Sequence, residues 1–106
     1  MSYLVTVTFH LRNVSKADWE KVHKDLYLSL EKIRFSHTAE GETSKGEKCK
    51  VTLPESTVMG EFDGESAKAV SDAIGEQVRD VFKAKQLKSY ILVTAGERGK
   101  WKWLPT

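Results

Sequence analysis

Hydrophobic and polar residues alternate along the first segment of the chain, residues 3–11. Every odd position there is apolar, and the even positions are mostly polar. A period of two predicts a β-strand whose odd side faces a core. The even side carries Thr6, Thr8 and His10, which are too polar for a buried face. We therefore expect helices to cover one side of the sheet and to leave the other side open to a partner.

Beyond this strand the apolar positions recur at the three- and four-residue spacing of helices. Ser15 with Asp18 three residues later is typical of a capping box, which predicts a first helix that ends near Glu31. A turn at 63–66 precedes a second predicted helix, from about residue 67 to residue 85. The apolar stripes of the two helices are Trp19, Val22, Leu26, Leu30 and Ile33, followed by Val70, Ile74, Val78, Val81 and Phe82.

Three further segments predict strands: 33–38, 56–62 and 90–94. The last is strongly apolar, which is typical of a central strand. Residues 39–50 are hydrophilic and contain two glycines, so they predict a loop or the tip of a long hairpin. Residues 100–104 follow a glycine turn and predict a short strand or a tail.

The order strand, helix, strand, strand, helix, strand predicts a ferredoxin-like βαββαβ sandwich of the α+β class. In this architecture a four-stranded antiparallel sheet carries both helices on one face, here with a short C-terminal strand added. A chain of 106 residues is predicted to form a single domain, residues 1–106. The open face of its sheet would then present Thr6, Thr8 and His10.

Composition narrows the classes of function only moderately. The 17 basic and 15 acidic residues give a net charge of +2, which neither requires nor excludes a nucleic-acid partner. A single cysteine, Cys49, excludes an internal disulfide, favours a reducing cytoplasmic location and is expected to be inert. We expect no membrane partner, because no apolar run approaches the roughly 20 residues of a membrane helix. Without a glycine-rich phosphate loop, we expect no nucleotide cofactor.

The titratable residues offer one candidate for chemistry. His10 ends the first strand on the predicted open face, where an imidazole can act as an acid, a base or a metal ligand. The alternative is a half-exposed histidine in a sheet with no chemical role. His23 and His37 are far from it in sequence, and three scattered histidines do not predict a metal site. Three carboxylates cluster near the start of the second helix: Glu61, Asp63 and Glu65. Helix capping explains them without an ion, so we expect no metal.

The C-terminal segment alternates aromatic and basic residues. Trp101 and Trp103 share one face of an extended segment, and Lys100 and Lys102 share the other. Aromatic side chains among lysines can stack on bases. They are also typical of an amphipathic edge strand that docks on a partner subunit. Docking is favoured, because two exposed tryptophans on a free tail would promote aggregation.

Several of these pieces together resemble the GhoS-like antitoxin endoribonucleases. They are the run Leu53-Pro-Glu-Ser-Thr-Val58, the serine-started second helix, the strand at 91–93, the glycine turn and the Trp-x-Trp ending. More distantly, the chain resembles the small CRISPR-associated adaptation nucleases and the VapD-like toxins of bacteria and mobile elements. The resemblance implies a homodimer in which the C-terminal segment of one subunit adds to the sheet of the other. Here that role falls to residues 100–106, with Trp101 and Trp103 at the dimer interface.

The same resemblance implies a position for the chemistry. Many members of that group carry an aspartate after an aromatic residue at the end of the first strand, and two such aspartates hold a metal across the dimer. Here the matching pair is Phe9-His10, and a neutral imidazole offers no anionic oxygen to magnesium. We therefore do not expect the metal-dependent cleavage of that group. The resemblance still allows metal-independent cleavage, in which His10 helps a ribose 2′-hydroxyl attack its own phosphate and Arg12 steadies the anion. Binding without cleavage is the other outcome it allows.

Three hypotheses follow. The first is a small dimeric RNA- or DNA-binding protein of antitoxin type that contacts nucleic acid through Thr6, Thr8, Arg12 and Asn13, with His10 and Arg12 as the catalytic pair of an endoribonuclease. The second is a non-catalytic protein-interaction module, such as a phage or prophage inhibitor or regulator. The third is a small-molecule enzyme with a pocket between helices and sheet, which no residue pattern marks.

Overall fold

The computed structural model describes residues 1–42 and 45–97. These residues form a small α+β structure with two helices and five strands. In chain order the elements are β1 (Ser2–Leu11), α1 (Trp19–Glu31), β2 (Thr38–Glu42), β3 (Lys48–Thr52), β4 (Thr57–Asp63), α2 (Ala67–Ala84) and β5 (Ser89–Gly96). Neither helix is long and apolar enough to cross a membrane, a finding that covers the described residues alone.

The strands form two antiparallel sheets. The larger sheet has the order β4-β1-β5, so that Val5 of β1 lies between Gly60 and Ala95. Strands β2 and β3 pair separately as a hairpin. A single bridge between Ser36 and Met59 links the segment before β2 to β4. The prediction of one four-stranded sheet is therefore matched only in part, because one residue of that segment, rather than a whole strand, pairs with β4.

The hydrophobic core lies between the three-stranded sheet and both helices. The alternation predicted for the first strand is confirmed: the odd positions Tyr3 to Phe9 are buried, with Val5 and Val7 fully enclosed. Each such aliphatic side chain contributes roughly 1.5–3 kcal/mol when it leaves water. The other members of the core cluster are Leu26, Leu30, Phe35, Val58, Phe62, Val70, Ile74, Val78 and Phe82. On the even side of the strand, Thr8 and His10 are exposed.

Helix α1 starts later than its capping signal predicts. Its N-cap is Asp18, whose side chain makes no capping hydrogen bond. The Ser15 hydroxyl instead donates to the Asp18 carboxylate at 3.0 Å, so the two residues of the predicted capping box bind each other. As a result Trp19 is only at the border of the core, 36% exposed, and the buried stripe consists of His23, Leu26 and Leu30.

Helix α2 agrees closely with its prediction. Its N-cap is Ser66, whose side chain accepts a hydrogen bond from the backbone N–H of Ala69 at 3.1 Å. Its stripe is buried as predicted, except that Val81 is half-buried. The buried positions are Val70, Ile74, Val78 and Phe82.

Both helices end in the same kind of turn, although neither has a glycine stop signal. Arg34 after α1 and Gln86 after α2 adopt the left-handed backbone conformation, with φ of 75° and 57°. In each case the next N–H returns to a carbonyl five residues earlier, which is the Schellman motif. The two hydrogen bonds are Phe35 N–H to Leu30 O and Leu87 N–H to Phe82 O, both 3.0 Å.

The strand predicted at 33–38 is wrong. The first half of that segment is the turn that ends α1, with Arg34 in the left-handed conformation, and β2 begins only at Thr38. Of the two alternatives for residues 39–50, the hairpin is the observed one. Strand β3 ends at Thr52, shortly before Pro54, which has no N–H for a sheet.

Strand β5 lies at an edge of the three-stranded sheet, so its prediction as a central strand is wrong for the described residues. Its residues alternate between half-buried and exposed, because only its odd side faces the helices. The predicted C-terminal strand at 100–104, and the docking segment 100–106 with Trp101 and Trp103, lie outside the described residues.

Candidate nucleic-acid interface

On the side of the sheet away from the helices, strands β1 and β5 carry the residues that the sequence singles out, whereas Thr57 and Met59 of β4 on the same side are buried. Antiparallel pairing of β1 with β5 sets His10 directly opposite Tyr90 and Thr8 opposite Leu92. Side chains of directly opposed residues lie within about 5 Å of each other at Cβ and share one face. Even-numbered residues of both strands therefore form one continuous surface, which we call the open face.

Two aromatic rings and one cation meet at one end of the open face. The His10 and Tyr90 rings are nearly parallel, with an interplanar angle of 10° and centroids 6.5 Å apart. The guanidinium carbon of Arg12 lies 4.7 Å from the centroid of the Tyr90 ring. A cation at this distance is attracted to the electron-rich ring face. We call these three side chains the stacking cluster.

The stacking cluster is exposed rather than pocketed. The side chains of His10 and Arg12 are exposed, and Tyr90 keeps 64% of its accessible surface. Together with Leu92, which is 63% exposed on the same face, the Tyr90 ring forms a small apolar patch of the kind that marks interaction sites. Among the described residues the His10 imidazole makes no hydrogen bond, so its nitrogens are available to a ligand.

The other predicted contact residues differ in availability. Thr8 is exposed on the open face beside the stacking cluster, and Thr6 is half-buried further along the strand. Asn13 is already engaged: its amide donates to the Gln86 carbonyl at 3.2 Å and accepts from the Lys88 N–H at 3.0 Å. Asn13 thus joins the end of β1 to the start of β5, and these hydrogen bonds hold the backbone next to Arg12 in place.

Charge is distributed unevenly over the open face. Arg12 and Lys88 lie at the end where β1 finishes, while Glu61 and Asp63 of β4 pair with the start of β1 at the opposite end. The carboxylate of Glu61 accepts a hydrogen bond from the Ser2 hydroxyl at 2.7 Å. The stacking cluster therefore lies at the basic end of this face.

Sequence reasoning missed Tyr90 and Leu92, both more than 60% exposed on the open face. It predicted a central strand at 90–94 from the apolar composition and singled out none of its residues for the open face. The signal that could have identified them is the register: a strand of the same sheet that also packs under α2 must turn alternate residues away from the core.

A second cluster surrounds His23, which is 4% exposed. Its Nδ1 lies 2.8 Å from the Trp19 carbonyl oxygen, and its Nε2 lies 2.9 Å from the Ser56 hydroxyl. Since a carbonyl only accepts, Nδ1 carries the proton and Nε2 accepts from Ser56. The Trp19 ring centroid is 3.9 Å from that of His23, and the Phe9 ring stacks at 5.8 Å.

A serine hydroxyl that donates to a histidine is also the first half of a nucleophilic dyad. The surrounding backbone does not supply the second half. The Ser56 N–H donates to the Tyr27 hydroxyl at 3.1 Å, and the Thr57 N–H donates to the Pro54 carbonyl at 3.2 Å. Neither N–H is available to an oxyanion, so the pair joins α1 to the turn before β4 and is structural.

The histidines do not come together as a metal site. His37 stacks on Tyr27 with ring centroids 5.1 Å apart, on the helix side of the structure, and its Nδ1 is buried without a hydrogen-bond partner among the described residues. Within the described ranges, no group of three or more histidine, cysteine, aspartate or glutamate residues is placed to hold a metal ion. Cys49 borders an open groove on the β2–β3 hairpin, between Lys48 and Lys50.

No protein-family model, curated protein or solved structure matches this chain.

Proposed function

We propose that this chain binds single-stranded nucleic acid, RNA in the first place, on the open face of its sheet. The observation that carries the proposal is the stacking cluster: parallel His10 and Tyr90 rings with Arg12 over the Tyr90 face. A base stacked on an exposed aromatic ring gains roughly 1–3 kcal/mol, whatever its identity. Arg12 beside that ring supplies the positive charge that a neighbouring phosphate needs.

The distribution of charge supports one orientation of the ligand. Phosphates are favoured near Arg12 and Lys88, two exposed cations at the end of the face where β1 finishes. Single-stranded substrate is favoured over duplex, because only unpaired bases can turn their ring faces toward Tyr90.

We also propose that the fold is ferredoxin-like and that the chain is related to the GhoS-like antitoxin endoribonucleases. The Ser36–Met59 bridge supports a ferredoxin-like arrangement, since it sets the segment before β2 beside β4, where a fourth strand would lie. With this arrangement, the resemblance to GhoS-like antitoxin endoribonucleases supports an antitoxin-like role in the cytoplasm. The proposed homodimer, with Trp101 and Trp103 at its interface, belongs to the same proposal.

Cleavage of the bound RNA is a further step of this proposal. His10 would take the proton of a ribose 2′-hydroxyl, whose oxygen then bonds to the adjacent phosphorus. The bond from phosphorus to the 5′-oxygen breaks, and that oxygen takes a proton from water, leaving a 2′,3′-cyclic phosphate. Arg12 would offset the charge that develops on the phosphate oxygens. This chemistry needs no metal ion.

The test is a binding and cleavage assay with end-labelled single-stranded RNA, its DNA analogue and the duplex, each in magnesium and in EDTA. We expect both single strands to bind more tightly than the duplex, with and without magnesium. RNA alone should be cut, and His10→Ala should stop the cutting. Failure of all three nucleic acids to bind at low salt would refute the proposal. Binding with His10→Ala cutting as well as the parent would remove only the catalytic step.

A protein-interaction module remains the second candidate, and Leu92 favours it. This side chain is 63% exposed beside Tyr90, and an aliphatic residue gains little from phosphates. A stable protein partner, together with no retention of any oligonucleotide, would select this candidate.

The proposed dimer has its own test. Light scattering should report twice the chain mass for the parent protein. The mass should fall to that of one chain when Trp101 and Trp103 are both replaced by serine. A monomeric parent would contradict docking of the C-terminal segment.

A further inference from the structure

Strand β5 is at the end of the three-stranded sheet, so among the described residues one of its edges has no neighbouring strand. Natural edge strands are usually guarded against pairing by charges, prolines or bulges. The eight residues from Ser89 to Gly96 contain no charged residue and no proline, and their register with β1 is unbroken. No described strand pairs with their outer side. We propose that β5 pairs antiparallel with β5 of a second copy of this chain, around a two-fold axis at Val93.

The backbone of β5 is oriented for this pairing. Arg12 N–H donates to the Lys88 carbonyl at 2.7 Å, so the even-numbered residues of this segment direct their backbone groups toward β1. Backbone groups alternate sides along a strand, so Ile91, Val93 and Ala95 direct theirs outward. A two-fold axis at Val93 sets that residue against itself and Ile91 against Ala95 of the second copy. The outward groups then meet in register.

The side chains of β5 select a second copy over an unrelated strand. They decrease in size along the strand, from Tyr90 and Leu92 to Thr94 and Gly96. Reversal about Val93 sets each large residue opposite a small one, Tyr90 against Gly96 and Leu92 against Thr94. An aromatic ring opposite an edge glycine is a stabilising cross-strand arrangement. The side chains of β5 are thus complementary in size to those of an antiparallel β5 from a second copy.

The opposite edge of the sheet is less suited to this role. There the backbone of Met59 in β4 already exchanges two hydrogen bonds with Ser36, each 2.9 Å. Pairing through β5 would join two three-stranded sheets into one and place the open faces side by side. It uses outward backbone groups and does not depend on nucleic-acid binding. It is an alternative to docking of residues 100–106 as the contact between copies: a dimer held by β5 keeps twice the chain mass when Trp101 and Trp103 are both replaced by serine.

A charge-swap pair of variants tests both the interface and its register. In the proposed register, positions 92 and 94 of one copy lie directly opposite positions 94 and 92 of the other. The double variant Leu92→Glu with Thr94→Glu opposes like charges across the axis, where they are destabilising. The matched control, Leu92→Glu with Thr94→Lys, opposes unlike charges at the same sites. Both positions are exposed, so neither variant disturbs the core of the subunit.

Sedimentation velocity over a concentration series supplies the readout, with circular dichroism as a check on folding. We expect a dimeric parent, at least a tenfold weaker dimer for the first variant, and recovery for the control. A parent that stays monomeric overturns the proposal. So does a first variant that dimerises as well as the parent. A control that fails to recover excludes the axis at Val93. Oligonucleotide binding by a monomeric parent would leave the proposed nucleic-acid binding intact and would remove both proposed dimers.

Discussion

Tyr90→Ala is the most direct perturbation of the stacking cluster. The substitution removes a ring that is 64% exposed and contacts both His10 and Arg12. The backbone pairing between β5 and β1 does not involve that ring. We therefore predict a large loss of nucleic-acid affinity with a small loss of stability.

The two magnitudes can be worked from the exposure of Tyr90. A base that no longer stacks forfeits roughly 1–3 kcal/mol, which is about a 5- to 150-fold weaker Kd. The stability change is limited by the third of the side chain that the fold covers. A fully buried aromatic ring removes about 150–250 Å² from water, so a third of that is about 70 Å². At about 25 cal/mol per Å² this is less than 2 kcal/mol, and the domain stays folded.

Fluorescence anisotropy with a labelled single-stranded RNA at fixed salt measures the affinity, and thermal unfolding measures the stability. Tyr90→Phe is the conservative variant, because it keeps the ring and loses only the hydroxyl. Leu28→Ala on α1 is the control for removing an exposed apolar side chain elsewhere, since Leu28 is 54% exposed. We expect the phenylalanine variant and the control to bind like the parent.

The salt dependence separates stacking from charge. Arg12→Ala should lower the slope of log K against log salt by about 0.7, the value for one phosphate on a single strand. Tyr90→Ala should leave that slope unchanged, and so should Arg79→Ala, which removes an exposed arginine from α2. The reasoning is refuted if Tyr90→Phe loses as much affinity as Tyr90→Ala, or if Arg79→Ala matches Arg12→Ala.

Three further predictions concern the fold. Gln86→Gly should stabilise the protein by about 0.5 kcal/mol in a urea titration, because glycine relieves the left-handed backbone by more than it adds entropy to the unfolded chain. The control Gln77→Gly, inside α2, should instead destabilise the protein by about 1 kcal/mol. Gly60→Ala should cost roughly 1–3 kcal/mol, since a Cβ there would lie 2.7 Å from a backbone carbonyl of the turn after α1. Lys85 donates to Asp25 at 2.6 Å and lowers the Asp25 pKa from its ordinary 3.8. Asp25→Asn should therefore lower the Tm at neutral pH, and the difference should vanish as acid protonates Asp25 in the parent.

Strict periodicity was the part of the fold that could be predicted. The alternation along residues 3–11 and the stripe of α2 each bury one face. In the strand, a one-residue shift in register would expose the whole buried set. Those elements, and the open side of β1 with His10, follow from the regular spacing of apolar and polar residues along the chain. The C-terminal end of α1 was also near its predicted position, because the apolar spacing stops there.

Other features depend on contacts between distant segments, which local patterns do not encode. Nothing near Arg34 in sequence announces a left-handed residue, so the segment 33–38 resembled a strand. The partner of His23 is Ser56, 33 residues away. Tyr90 could be assigned to the candidate site only once the register of β5 against β1 placed it opposite His10. A site made by pairing of strands becomes visible when the pairing is known.

The two proposals use different groups of the same strand. Base stacking uses the Tyr90 ring, which stands perpendicular to the sheet, whereas the hydrogen bonds of self-pairing use outward backbone groups, which lie in the sheet plane. The residue opposite Tyr90 in the second copy is Gly96, which has no side chain to cover the ring. Pairing around Val93 therefore leaves the Tyr90 ring face accessible while it sets two stacking clusters on one continuous surface. Each Tyr90 is three residues from the axis, so the two rings would be separated by about 20 Å along the strands. A strand of RNA long enough to reach both should bind more tightly than a short one, and only when the protein is dimeric.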